Sequence, residues 1–197
     1  MKTFKKSKTV YIENSNLSNL FRATLNEGSS FSFDKVFFNK QLTTLIHCPI
    51  PVKGRYSIPH TVTSIGIEAF AQCKELTSVI IPSSIKTIGC LAFYNCICLT
   101  SITIPDSIIE FGYRAFSNCA GLKTILVRTI QPVILKPDSD IFLNVDKSTC
   151  ILYVPVGSKR DYQLAEQWKE FKNILEANDF EITRSNKIYF EETKQAI

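Results

Sequence analysis

The chain has 197 residues, 45% of them hydrophobic and 21% charged, with a net charge of +5. That length and composition suit one elongated domain with capping elements, and no apolar run approaches the ~20 residues of a membrane span. The mild positive charge gathers partly at Lys2, Lys5, Lys6 and Lys8. No aromatics interleave with these lysines, so they read as a solvated tail rather than a nucleic-acid arm, and no nucleic-acid partner is expected.

In chain order, Thr9–Ile12 reads as a strand. Leu17, Leu20, Phe21 and Leu25 follow at the spacing of a short amphipathic helix, with Asn16 as its N-cap. Phe31–Phe33 and Val36–Phe38 are strand-like, and Leu42 to Ile46 is a further apolar run. A block of 23 residues then occurs three times head to tail, over 59–81, 82–104 and 105–127. Pro59/Pro82/Pro105, Gly66/Gly89/Gly112, Ala69/Ala92/Ala115, Phe70/Phe93/Phe116, Cys73/Cys96/Cys119 and Leu76/Leu99/Leu122 are identical throughout. Val62, Ile65, Val79 and Ile81 have apolar counterparts in both later blocks. A fixed short period of this kind marks a solenoid, whose coils bury their apolar faces only by stacking.

Within a block, Leu76-x-x-Val79-x-Ile81 is the strand signature of leucine-rich repeats. Val79 and Ile81 point inward, Ser78 and Ile80 to the other face. Gly66 is expected at a turn needing positive φ, and Ala69-Phe70-x-x-Cys73 to form one short helical turn. Tyr56 and Ile58 take the places of Val79 and Ile81, which makes 36–58 a degenerate first coil after an N-terminal capping region, 1–35. Ile141-Phe142 replaces Ala-Phe in a fourth coil, 128–154, lengthened by four residues around Pro132 to Asp140, so the solenoid spans 36–155. Ser158-x-x-Asp161 reads as a capping box opening a helix over 156–176 that closes the stack, with Tyr162, Ala165, Trp168, Phe171, Ile174 and Leu175 at helical spacing. A tail, 177–197, ends the chain, with a strand-like stretch at Lys187 to Phe190. The fold class is thus α/β: a β-rich, right-handed solenoid with a short helical turn per coil and a capping helix at its C-terminal end.

Catalysis has little to work with. His47 and His60 lie beside proline-containing turns, and no Ser/His/Asp or Cys/His arrangement, phosphate loop or metal motif occurs, so neither enzyme activity nor a cofactor is expected. Cys73, Cys96 and Cys119 recur at one height facing the core, where a free thiol behaves as a small hydrophobe. Cys48, Cys90 and Cys150 read as structural too. Seven cysteines make an odd count, and only Cys96-x-Cys98 approaches zinc spacing. Two surfaces stand out for binding. The outward strand positions Ser78, Ile80, Ser101, Thr103, Thr124 and Leu126, with Arg128 at the edge, form a flat, small-residue face suited to a protein partner. Leu91, Tyr94 and Ile97, flanked by Cys90 and Cys98, are apolar where the neighbouring blocks are polar, a candidate patch for a partner or self-association.

The unit Ile-Pro-x-x-Val/Ile-x-x-Ile-Gly-x-x-Ala-Phe-x-x-Cys-x-x-Leu-x-x-Ile resembles the BspA-like leucine-rich repeat. The segment Cys150 to Ser158, followed by Tyr162 and Trp168 to Ile174, resembles the closing segment of such proteins from Bacteroides-type bacteria. The resemblance covers roughly Val36 to Glu176. It implies a non-enzymatic, adhesin-type bacterial module at the cell surface or secreted, with no catalytic residues carried over. The family usually begins with a secretion signal. Met1 to Thr9 has no apolar stretch of that kind, so either a leader has been removed or the protein stays inside the cell, which keeps a cytoplasmic scaffold as the alternative. A carbohydrate-binding module is a third reading. It predicts a row of exposed aromatics, and the strand positions named above contain none.

Overall fold

The repeat period becomes two stacked ladders of strands. A computed structural model describes residues 9–12, 21–26, 30–33, 36–48 and 52–178. The main sheet is formed by β6 (Gly54–Ser57), β8 (Leu76–Ile80), β10 (Ser101–Ile104), β12 (Thr124–Val127), β13 (Ile151–Pro155) and β14 (Asn173–Ala177), side by side in that order and parallel. Ser78 pairs with Ser101 and Ser101 with Thr124, so one step across the sheet is one repeat. Opposite it runs a return sheet of β5 (Thr44–His47), β7 (Ser64–Ile65), β9 (Thr87–Ile88) and β11 (Glu110–Phe111), also parallel. Beyond β5 this sheet continues antiparallel through β4 (Val36–Asn39), β3 (Ser30–Phe33) and β2 (Phe21–Asn26) to β1 (Thr9–Ile12).

Between the sheets lies a third ladder, made of turns. In each coil alternate N–H groups bond within the turn, as Ala69 to Gly66 O and Cys73 to Phe70 O do. The others reach the next coil: Glu68, Phe70 and Gln72 N–H donate to Cys90, Ala92 and Tyr94 carbonyls. The alternation is produced by two left-handed residues per coil, at 68/91/114 and 72/95/118. Asn95 and Asn118 suit that conformation. The expected helical turn is therefore a run of tight turns whose N–H groups are divided between the coil and its neighbour.

Three further expectations are corrected. Gly66, Gly89 and Gly112 do not adopt positive φ. A Cβ on Gly89 would stand 2.6 Å from the Gly66 carbonyl carbon, and one on Gly112 would stand 2.5 Å from that of Gly89, so glycine is required because successive backbones touch. Phe21 and Leu25 lie in strand β2, paired on both edges, rather than in a helix. Their spacing with Ala23 also fits a period of two, and sheet pairing decides the conformation. Asn16, Leu17 and Leu20 lie outside the described residues, as do Lys187 to Phe190. The closing helix, α1 (Lys159–Leu164), has six residues. Ala165 is extended and Gln167 has a positive φ of 62°, after which Trp168–Glu170 forms a 3-10 turn and Ile174 and Leu175 belong to β14. Ser158 Oγ donates to Pro155 O instead of capping, and the Glu176 carboxylate accepts the Lys159 N–H.

Of the expected first coil, the stretch from β5 to β6 follows the solenoid path, while β4 folds back on β5 as a hairpin. Through the centre of the core runs a column of one ring per coil. Phe70, Phe93, Phe116 and Phe142 stack with centroids 5.0, 5.1 and 5.7 Å apart and planes within 8°. Tyr56 caps one end edge-on, and Trp168 and Phe171 the other. Buried Gln167 locks the closing turn: its Nε2 donates to Lys136 O and Ser139 Oγ, and its Oε1 accepts the Ile141 N–H.

Candidate binding groove

Because strand residues alternate in direction, Val79, Ile102 and Ile125 are buried and their neighbours form the outer surface of the main sheet. On that surface a groove of about 350 Å³ opens. Ser78, Ile80, Ser101, Thr103 and Arg128 line it, joined by Arg55, Ser83 and Asp106. Ile80, 38% exposed, is the large apolar side chain of the lining that faces solvent. Thr124 sits one strand beyond Ser101 in the same row, outside the lining. Leu126 departs from expectation: it is 3% exposed, packed with Ala177 and half-buried Tyr153. The reason is local, since β13 and β14 extend the sheet past β12 and bring larger side chains beside it.

Arg55 was not singled out in the sequence, although its signal was present. It pairs with Ser78, so it occupies the Ser78/Ser101/Thr124 row one coil earlier. Arg128 stands where the three blocks carry proline. Its N–H donates to Ile104 O at 3.0 Å, a bond proline cannot make.

The apolar trio lies off this groove. Leu91 and Tyr94 belong to the turn run of the second block, where Tyr94 N–H donates to Leu91 O. Both are half-buried, and Ile97 is 43% exposed beside exposed Cys98.

Cys48, Cys73, Cys96, Cys119 and Cys150 are buried free thiols. Cys96 and Cys119 Sγ donate to the Phe70 and Phe93 carbonyls at 3.1 Å. The neighbouring thiol, then burial, raises the pKa of Cys48 (beside Cys73) and of Cys96 (beside Cys119). Burial and the Asp146 charge push Cys150 up to about 12. Cys48, Cys96 and Cys150 stay protonated at neutral pH, whereas the bond with the neighbouring Cys48 thiol lowers the pKa of Cys73. Among the described residues no group of three or more His, Cys, Asp or Glu is placed to hold a metal ion, and no helix is long and apolar enough to cross a membrane.

The BspA type leucine rich repeat region, in six copies, matches residues 54–150. No curated protein matches the chain. Among solved structures, a leucine-rich repeat protein from Eubacterium ventriosum is 26% identical, with a TM-score of 0.51 over 64% of this chain and 33% of its own. The pneumococcal vaccine antigen PcpA is 20% identical, with a TM-score of 0.53 over 78% of this chain and 49% of its own. The chain thus spans between a third and a half of the length of these two proteins, and the second likeness concerns the fold alone.

Proposed function

Since residues 54–150 belong to the BspA-type leucine-rich-repeat family, we propose that the chain is a non-enzymatic, protein-binding module of adhesin type, displayed at a bacterial surface or secreted. It engages its partner through the groove on the main sheet. The observation that carries this reading is the groove itself: a continuous stretch of β8, β10 and the end of β12 presenting hydroxyls, one isoleucine and charged side chains on a rigid ladder. Affinity on such a surface comes from a few anchors within a larger complementary area. The surface setting rests on family membership, and PcpA, a vaccine antigen, has the same fold. The limits 1–35, 36–155, 156–176 and 177–197 for N-terminal cap, solenoid, C-terminal cap and tail belong to the same proposal.

The test is adhesion of protein-coated beads to epithelial and bacterial cells, comparing the native chain with Ser101→Trp, which fills the groove at its centre without touching the core. Adhesion by the native chain and its loss in the variant are expected. Equal adhesion by both would remove the groove from the mechanism.

A second reading, self-association, is favoured by exposed Ile97 beside half-buried Leu91 and Tyr94. Its test is sedimentation of Leu91→Glu with Ile97→Glu, and an oligomeric state equal to that of the native chain would exclude it.

A further inference from the structure

A repeat scaffold separates what the fold requires from what it does not. In the row Arg55, Ser78, Ser101, Thr124, three coils carry a hydroxyl and one a guanidinium. At the position opening each coil, three carry proline and the fourth carries Arg128. The ladder is complete without either arginine: Ser78 and Ser101 hold the same pairing, and Pro82 and Pro105 end the same strands. Yet both departures line the same groove, at its two extremes along the stack.

We infer that the groove recognises an extended acidic peptide segment of the partner, with one carboxylate at Arg55 and a second at Arg128. This rests on the protein-binding reading above and names the chemistry of its partner. Guanidinium is matched to carboxylate by its planar pair of donors. Between the arginines, Ser78, Ser101 and Thr103 offer hydroxyls that both donate and accept, suited to the amides of an extended backbone. Among the described residues the lining has one carboxylate, Asp106, against two guanidiniums. Among the described residues Arg128 forms no salt bridge, and it is exposed.

Geometry sets the spacing. From β6 to β12 is three strand intervals of about 4.8 Å, and from the Thr124 row to Arg128 is four residues of about 3.3 Å, a diagonal of roughly 20 Å. An extended peptide covers that in about six residues, and positions six apart project from the same side.

The test is fluorescence anisotropy of the full chain with a labelled seven-residue Ser/Thr/Val peptide carrying Glu at both ends. Comparison peptides have Lys at both ends, or two adjacent glutamates. Selective binding of the first is expected, weakening with added salt. Arg55→Ser and Arg128→Ser should each reduce affinity about threefold to tenfold, and Asp106→Ser should increase it. Ser is the residue the repeat itself uses in the Arg55 row, so that variant keeps the fold. Equal binding of the Lys peptide, indifference to both arginine variants, or weakening by Asp106→Ser would overturn the inference. Peptide indifference together with loss of bead adhesion in Ser101→Trp would overturn only the acidic specificity. Unchanged adhesion would overturn the groove reading itself.

Discussion

Replacing Phe93 by Ala removes the central ring of the column. Phe93 is fully buried, stacked on Phe70 at 5.0 Å and on Phe116 at 5.1 Å. A Phe→Ala change in a core costs about 3–5 kcal/mol, the cavity contribution depending on how far the surroundings collapse. Here collapse is resisted on both sides. Phe93 N–H is tied to Ala115 O and Phe70 N–H to Ala92 O, so neither adjacent coil can settle inward without breaking its ladder. Two stacking contacts are lost as well, each about 0.5–1.5 kcal/mol beyond area burial. The cost therefore belongs at the upper end, about 4–5 kcal/mol. For a chain of this size that corresponds to a fall in Tm of roughly 10–20 °C. Urea unfolding followed by far-UV circular dichroism reads it directly. A loss under about 1 kcal/mol would refute the stacked-ring register and the rigidity argued for the turn ladder.

Gly89→Ala places a methyl group 2.6 Å from the Gly66 carbonyl carbon and should destabilise far more than Gly54→Ala, where positive φ alone costs about 1–2 kcal/mol and the space is open. Thermal melts of the two variants compare them. Gln167→Leu strands the Ile141 N–H, costing about 1–3 kcal/mol, while the Lys136 carbonyl keeps its bonds from Ser139; hydrogen exchange should show the Pro132 to Asp140 segment opening first. In native protein a thiol reagent should find exposed Cys98 rapidly and half-buried Cys90 slowly, with Cys48, Cys73, Cys96, Cys119 and Cys150 reacting only in denaturant. Burial also raises Tyr162 to about 12, and Cys150 reaches about 12 through burial and the Asp146 charge. Each group's contribution is present below its unfolded value, near 9 for Cys150 and 10 for Tyr162, and is lost as pH rises toward 12. Urea midpoints should therefore fall over that window, and less steeply in Tyr162→Phe.

Much of the architecture was legible because a repeat states its constraints three times. Phe93, Cys96 and Leu99 recur at fixed offsets, and one coil's inward positions predict those of the next. What the sequence hid depends on neighbours. Gly89 looks like a turn glycine, and only the Gly66 backbone lying against it gives the true reason. The closing segment has helical spacing from Tyr162 to Leu175, but the pull of Gln167 into a buried bonding site and the open edge of β13 convert its second half to a turn and a strand. Period alone points Leu126 outward; β13 and β14 bury it. In the groove, Ser78 and Ser101 followed from alternation. Arg55 required carrying the register one coil upstream of the recognisable blocks.

Labelling intact source cells with a membrane-impermeant, amine-reactive biotin tests the central claim most directly, because a module that binds host or microbial partners must face outward. This protein is expected in the labelled fraction before lysis. Labelling only after the cells are broken would contradict that claim and leave an internal scaffold with the same groove.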